Sequence, residues 1–140
     1  MKLSIVEINW IGVLAATFAY FLLGGLWFSQ IAFGKKWDSA IGFNRPDDWK
    51  ETIVYYMVPF LGCLVASMAM ASLSKLANVN SYQEAVALGL IAGAGFAATV
   101  SFVNAVTPMM RKPLLFGLIT GTYHVIGVVS ASLIIYAIGN

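Results

Sequence analysis

His124, the only histidine of the chain, stands in a stretch without a single charge, with Thr120 one turn before it and Gly127 and Ala131 following at helical spacing. Asn104 and Ser101 lie near the end of the preceding uncharged stretch. If the two stretches run antiparallel, Asn104 and Ser101 reach the depth of Thr120 and His124, and an Asn–His–Thr cluster forms between them. Imidazole is the side chain whose ordinary pKa lies near physiological pH, so such a cluster can relay a proton or orient a polar ligand. Its plainer use is a neutral imidazole that donates one hydrogen bond to Asn104 or to a carbonyl and fixes helix register. One histidine and one cysteine, Cys63, do not make the three or four ligands of zinc, so no metal is expected unless copies of His124 meet in a symmetric assembly.

Other chemistry has no constellation to carry it. There is no nucleophile elbow, no glycine loop leading to a phosphate-binding lysine, no carboxylate pair within an uncharged stretch and no histidine motif of the metal hydrolases. Gly93-Ala94-Gly95 falls in an apolar stretch and reads as packing rather than as a nucleotide fingerprint. The expectation is a protein that is not an enzyme and takes no cofactor. Cys63 has no cysteine to pair with and reads as a small packing residue.

The elements that must position these residues follow from the charges. Residues 8–34, 52–74, 85–110 and 113–140 carry none. A helix needs about 20 apolar residues to cross the roughly 30 Å hydrocarbon core, so each stretch is long enough. The backbone finds no hydrogen-bond partner in lipid, which makes all four helices rather than strands. Composition agrees, because 60% hydrophobic and 10% charged residues are far from the balance of a water-soluble domain. The predicted fold is an all-α membrane protein, one domain of four transmembrane helices over about 8–33, 49–75, 82–107 and 113–138, in an antiparallel bundle. The first run exceeds the h-region of a signal peptide and is kept as a mature helix. Of the eight basic residues, Lys2 and Lys75 fall on one side, and Lys35, Lys36, Arg45, Lys50, Arg111 and Lys112 on the other. The positive-inside rule then places both termini on the outer side of the cell (inner) membrane. With a net charge of only +2, and its cations at span ends, the chain is expected to bind membrane lipids and no nucleic acid.

Local signals mark boundaries and faces. Ser81 and Glu84 have capping-box spacing for the third helix, and Asp48 and Glu51 repeat it for the second. Pro108 ends the third helix, Pro113 opens the fourth, and Pro59 is expected to kink the second. Trp27, Phe28, Trp37, Trp49, Tyr55 and Tyr56 compose a cytoplasmic aromatic belt, in which Trp27 either anchors the interface or lines a vestibule. Small residues recur every four positions: Gly89, Gly93, Ala97 and Ser101; Gly117 and Gly121; Gly12 and Ala16; Gly62 and Ala66. Helices in lipid associate where small side chains let backbones approach, so these ladders predict tight packing and spare faces for a homo-oligomer.

Asn9-Trp10, then Gly24-Gly25-Leu26-Trp27-Phe28-Ser29 and Phe33-Gly34-Lys35-Lys36-Trp37, resemble the opening signature of domain-of-unknown-function family 1761, small bacterial and fungal membrane proteins. Asn104 and Gly121-Thr122-Tyr123-His124 continue the likeness more loosely, so that it spans essentially the whole chain. The resemblance implies four helices and no established activity. From the residues themselves the leading reading is a small oligomeric transporter or channel-like protein, with a small-molecule ligand at His124, Asn104, Thr120, Ser101 and Trp27. The alternatives are a non-transporting membrane scaffold and a lipid-modifying membrane enzyme. A wet path, a closed dry core, or a side pocket beside His124 separates the three.

Overall fold

The computed structural model describes residues 8–139. Its helices are α1 (Trp10–Trp27), α2 (Gly34–Ile41), α3 (Val54–Leu76), α4 (Tyr82–Ala92), α5 (Thr99–Ala105) and α6 (Pro113–Gly139). A π-helical turn, Gly93–Ala98, joins α4 to α5 in one continuous span. No strand occurs among the described residues. Trp10–Trp27, Val54–Leu76, Tyr82–Ala105 and Pro113–Gly139 are long and apolar enough to cross a membrane, one for each uncharged stretch. The chain thus has the make-up of a multi-pass membrane protein. Lys2 and Asn140, which enter the charge count and the placement of the termini, lie outside the described residues.

Several boundaries differ from expectation for visible reasons. The first long helix stops at Trp27 rather than near residue 33, because the chain turns sharply: Phe33 N–H donates to Trp27 O at 3.0 Å and Gly34 N–H to Ser29 O at 2.9 Å. Gly34 is buried so tightly against the Phe28 and Ser29 carbonyl oxygens that any Cβ there would strike backbone. α2 follows inside the charged connector, buries Gly34, Asp38 and Ala40, and ends on Gly42 in the left-handed conformation, φ 79°. Asp48 and Glu51 do not cap the second span. α3 opens at Val54 without a side-chain cap, and Glu51 instead accepts from the Tyr56 hydroxyl and lies 3.6 Å from Arg45 Nη1. Ser81 does cap α4, accepting from Glu84 N–H at 3.2 Å, while the Glu84 carboxylate reaches one residue further back, to Asn80 N–H at 2.7 Å.

α6 is the hub. In its most apolar stretch 44% of residues are buried, against 28%, 22% and 17% in the other spans, and it packs on α1, on α3 and along all of Tyr82–Ala105. Between α1 and α6, glycine and tyrosine interlock. The Tyr20 ring lies over Gly127, where a Cβ would overlap it, and the Tyr123 hydroxyl lies 2.7 Å from where a Cβ on Gly24 would be. Asn9 closes the top of this pair: Oδ1 accepts from the Ile11 and Gly12 N–H groups, and Nδ2 donates to Ile138 O at 3.0 Å. Against the third span the approach is backbone to backbone, with a Cβ on Gly89 placed 2.7 Å from Val129 Cα and one on Gly93 placed 3.0 Å from Val125 Cα. Small residues thus admit a neighbour where α1 and the third span approach α6 closely, which is how helices gain dispersion energy in lipid. Gly62 has nothing within 4 Å of its would-be Cβ, so the second span's ladder is not a packing face at that position.

The π-helical turn alters the third span's ladder. The contacts to α6 come from Gly89 and Gly93, then from Ala98 against Gly121 and Phe102 against Gly117, a step of five between Gly93 and Ala98. One added residue rotates everything after it by about 100°. Ala97 and Ser101, which unbroken four-residue spacing puts against α6, are carried off that contact line. Thr99 Oγ1 donates to Ala94 O at 3.2 Å across the turn.

Candidate functional site

α3 touches the third span only sparsely, and a cleft of about 600 Å³ opens between them with α6 as its floor. Ala66, Ala69, Met70 and Leu73 of α3 form one wall. The other wall is Ala92, Phe96, Ala97, Val100, Ser101 and Asn104, several of them residues that the π turn rotates away from α6. Phe116, Thr120, His124 and Val128 form the floor. The lining is apolar except for Ser101, Asn104, Thr120 and His124.

Four of the five residues expected at a site therefore border one cleft, and Trp27 does not. Its indole N–H donates to Ile119 O at 3.0 Å and its ring packs on Phe33, 4.5 Å between centroids, which ties the end of α1 to α6. In place of the expected bond from His124 to Asn104 or to a carbonyl there is one to α1: His124 Nδ1 and the Tyr20 hydroxyl are 2.6 Å apart. Ser101 Oγ turns back to Ala97 O at 2.9 Å, within its own helix. Thr120 Oγ1 accepts from the Trp37 indole at 3.3 Å, so this belt tryptophan holds α2 to α6.

Tyr20 was not among the expected site residues. It is 3% exposed, and its ring contacts those of Tyr123 (5.3 Å) and His124 (6.1 Å). The Tyr123 ring in turn packs tilted against His124 at 4.7 Å and edge-to-face with Phe28 at 5.1 Å, and its hydroxyl reaches Cys63 Sγ at 3.8 Å. A phenol deep in an uncharged stretch needs a partner for its hydroxyl, and that was the available signal. Chemically, a neutral imidazole has one donor and one acceptor nitrogen. With Nδ1 engaged by Tyr20, Nε2 is the nitrogen left for a ligand in the cleft that His124 lines. Among the described residues no group of three or more His, Cys, Asp or Glu side chains could hold a metal ion.

Membrane-length helices, with a mostly apolar cleft and a polar edge at membrane depth, place the chain among the helical membrane proteins. It belongs to the family described as "Protein of unknown function (DUF1761)", whose model matches residues 11–136. No curated protein and no solved structure matches it. The residues that carried the resemblance have structural tasks here: Asn9 caps α1 and reaches α6, Gly24 receives Tyr123, Trp27 bonds to α6 and Gly34 makes the turn into α2.

Proposed function

We propose that this protein binds a small amphiphilic molecule within the membrane, its apolar part in the cleft between α3 and the third span and its polar part against Thr120 and His124. The observation that carries this is the composition of the cleft, in which four polar side chains edge an otherwise apolar wall. Polar groups at membrane depth are costly and are kept where they meet each other, water or a ligand. Tyr20 and Trp37 hold two of the four in place from behind, as a binding site requires. The setting is an antiparallel four-helix bundle in the inner membrane with both termini outside. Contacts that fall in reverse order along α1 and α6, from Asn9 with Ile138 to Trp27 with Ile119, support the antiparallel course of these two helices. In a homo-oligomer the cleft would serve transport of its ligand.

The test uses protein purified in lipid nanodiscs, with bound small molecules recovered and identified by mass spectrometry. Ala69→Phe fills the cleft from a residue that is itself exposed, and His124→Ala removes the polar contact. Loss of one shared amphiphile from both variants, with the helical circular dichroism of the parent retained, is the expected result. An unchanged set of bound molecules in both would overturn the proposal. A scaffold role is the second reading, favoured by the Tyr20–His124 bond, which satisfies Nδ1 without any ligand.

A further inference from the structure

A second cavity, of about 390 Å³, lies at the end of the molecule that carries α2, apart from the His124 cleft. Its lining contains three cations, Lys35, Arg45 and Arg111, and one carboxylate, Asp38, so its formal charge is +2. Arg45 is already matched: Nε and Nη2 bond the two Asp38 oxygens at 2.9 and 3.1 Å. The bond to Asp38 is the main reason its pKa is raised further, so the guanidinium stays charged. Gln30 Nε2 donates to the same carboxylate at 3.1 Å. Asp38 is thus consumed in holding α2 to the connector after it, and no carboxylate of the lining remains for Lys35 and Arg111. Arg111 reaches the cavity from the turn before α6. That turn is fastened to α2 through Lys112 N–H to Ala40 O at 2.9 Å and Lys112 Nζ to Ser39 Oγ at 2.8 Å.

Two cations without a counter-charge in a polar cavity, held on a braced frame, make a site for an anion with several acceptor oxygens. We infer that this cavity binds the phosphate of an anionic phospholipid headgroup, with Arg111 and Lys35 as its ligands. A lipid is favoured over a dissolved phosphate by what adjoins the cavity in the chain. Ile31, next to Gln30, is 90% exposed and Met109, two residues before Arg111, is 88% exposed, so large exposed apolar side chains adjoin lining residues in the chain and are available to acyl chains. Basic pockets at the ends of transmembrane helices suit anionic headgroups for this reason.

The experiment measures the preference of a spin-labelled phosphatidylglycerol over phosphatidylcholine for the protein reconstituted in phosphatidylcholine vesicles. The parent should prefer phosphatidylglycerol. Lys35→Gln with Arg111→Gln should reduce that preference roughly 25-fold, about fivefold for each cation. The charge-retaining pair Lys35→Arg and Arg111→Lys should keep most of it, and Lys50→Gln, outside the cavity, should keep all of it. Inorganic phosphate at millimolar concentration should not displace the lipid. No preference in the parent, an equal loss in Lys50→Gln, or displacement by inorganic phosphate would each overturn the inference, the last by naming a soluble anion as the occupant.

Discussion

The bond between Tyr20 and His124 couples the candidate site to the body of the protein, and its strength is measurable. Membrane hydrogen bonds are worth less than burial alone suggests, because the separated helices also find partners. Tyr20→Phe keeps the ring over Gly127 and the contact with Tyr123 while removing the hydroxyl, so it should lower stability by about 1 kcal/mol. It should also leave Nδ1 without its partner and weaken ligand binding in the cleft. Denaturant unfolding of the reconstituted protein, followed by helical circular dichroism, gives the first number. A loss of several kcal/mol would mean that the phenol holds more than the imidazole. Ser67 Oγ presents the opposite case, a buried hydroxyl with no partner among the described residues. Removing an unsatisfied polar group relieves its desolvation cost, so Ser67→Ala should be neutral or stabilising by up to about 1 kcal/mol in the same assay.

At the scale of elements, close approach to α6 decides what each glycine is worth. Gly127→Ala places a methyl group inside the Tyr20 ring, which cannot swing aside without breaking its bond to His124. Overpacking of this kind costs about 1–3 kcal/mol. Gly62→Ala faces open space and should gain about 0.5–1 kcal/mol from helix propensity alone. Opposite signs in the two unfolding free energies are the expected outcome, and Tyr20→Leu should recover part of the Gly127→Ala loss if the ring is the cause. Sequence spacing could name both glycines but not separate them, because a ladder does not say which neighbour it meets. The same limit hid the wall of the cleft. Gly89 and Gly93 were legible as a close-packing ladder, which the structure sets against α6, but Ala97 and Ser101 leave that line through a π-helical turn that no 3.6-residue count anticipates. α2 went unseen because, although Trp37, Ala40 and Ile41 fall at helical spacing, eight residues inside a charged connector are too short a run for periodicity to single out a helix.

For the whole molecule, the four spans were legible because lipid penalises every charge in its interior, and the gaps between Lys35 and Glu51, Lys75 and Glu84, and Arg111 and Lys112 stand out without structural help. Ser101, Asn104, Thr120 and His124, which border the candidate cleft, could be picked out for the same reason, since a polar group in such a stretch needs a cause. The structure adds that the first and third connectors meet, with Lys112 bonded to Ala40 and Ser39, so Lys35, Arg45 and Arg111 gather around one cavity at one end of the molecule. A concentration of cations on one end is what holds a membrane protein's orientation, and here it should retain the α2 end in the cytoplasm. In a Cys63→Ala background, Asp47→Cys marks the connector after α2 and Ala77→Cys marks the end of α3. A membrane-impermeant maleimide added to intact cells should label Ala77→Cys, and Asp47→Cys should react only after the membrane is opened. The reverse pattern would invert the orientation and move the cationic cavity to the outer surface, and labelling of both positions from outside would contradict α3 as a membrane-crossing helix.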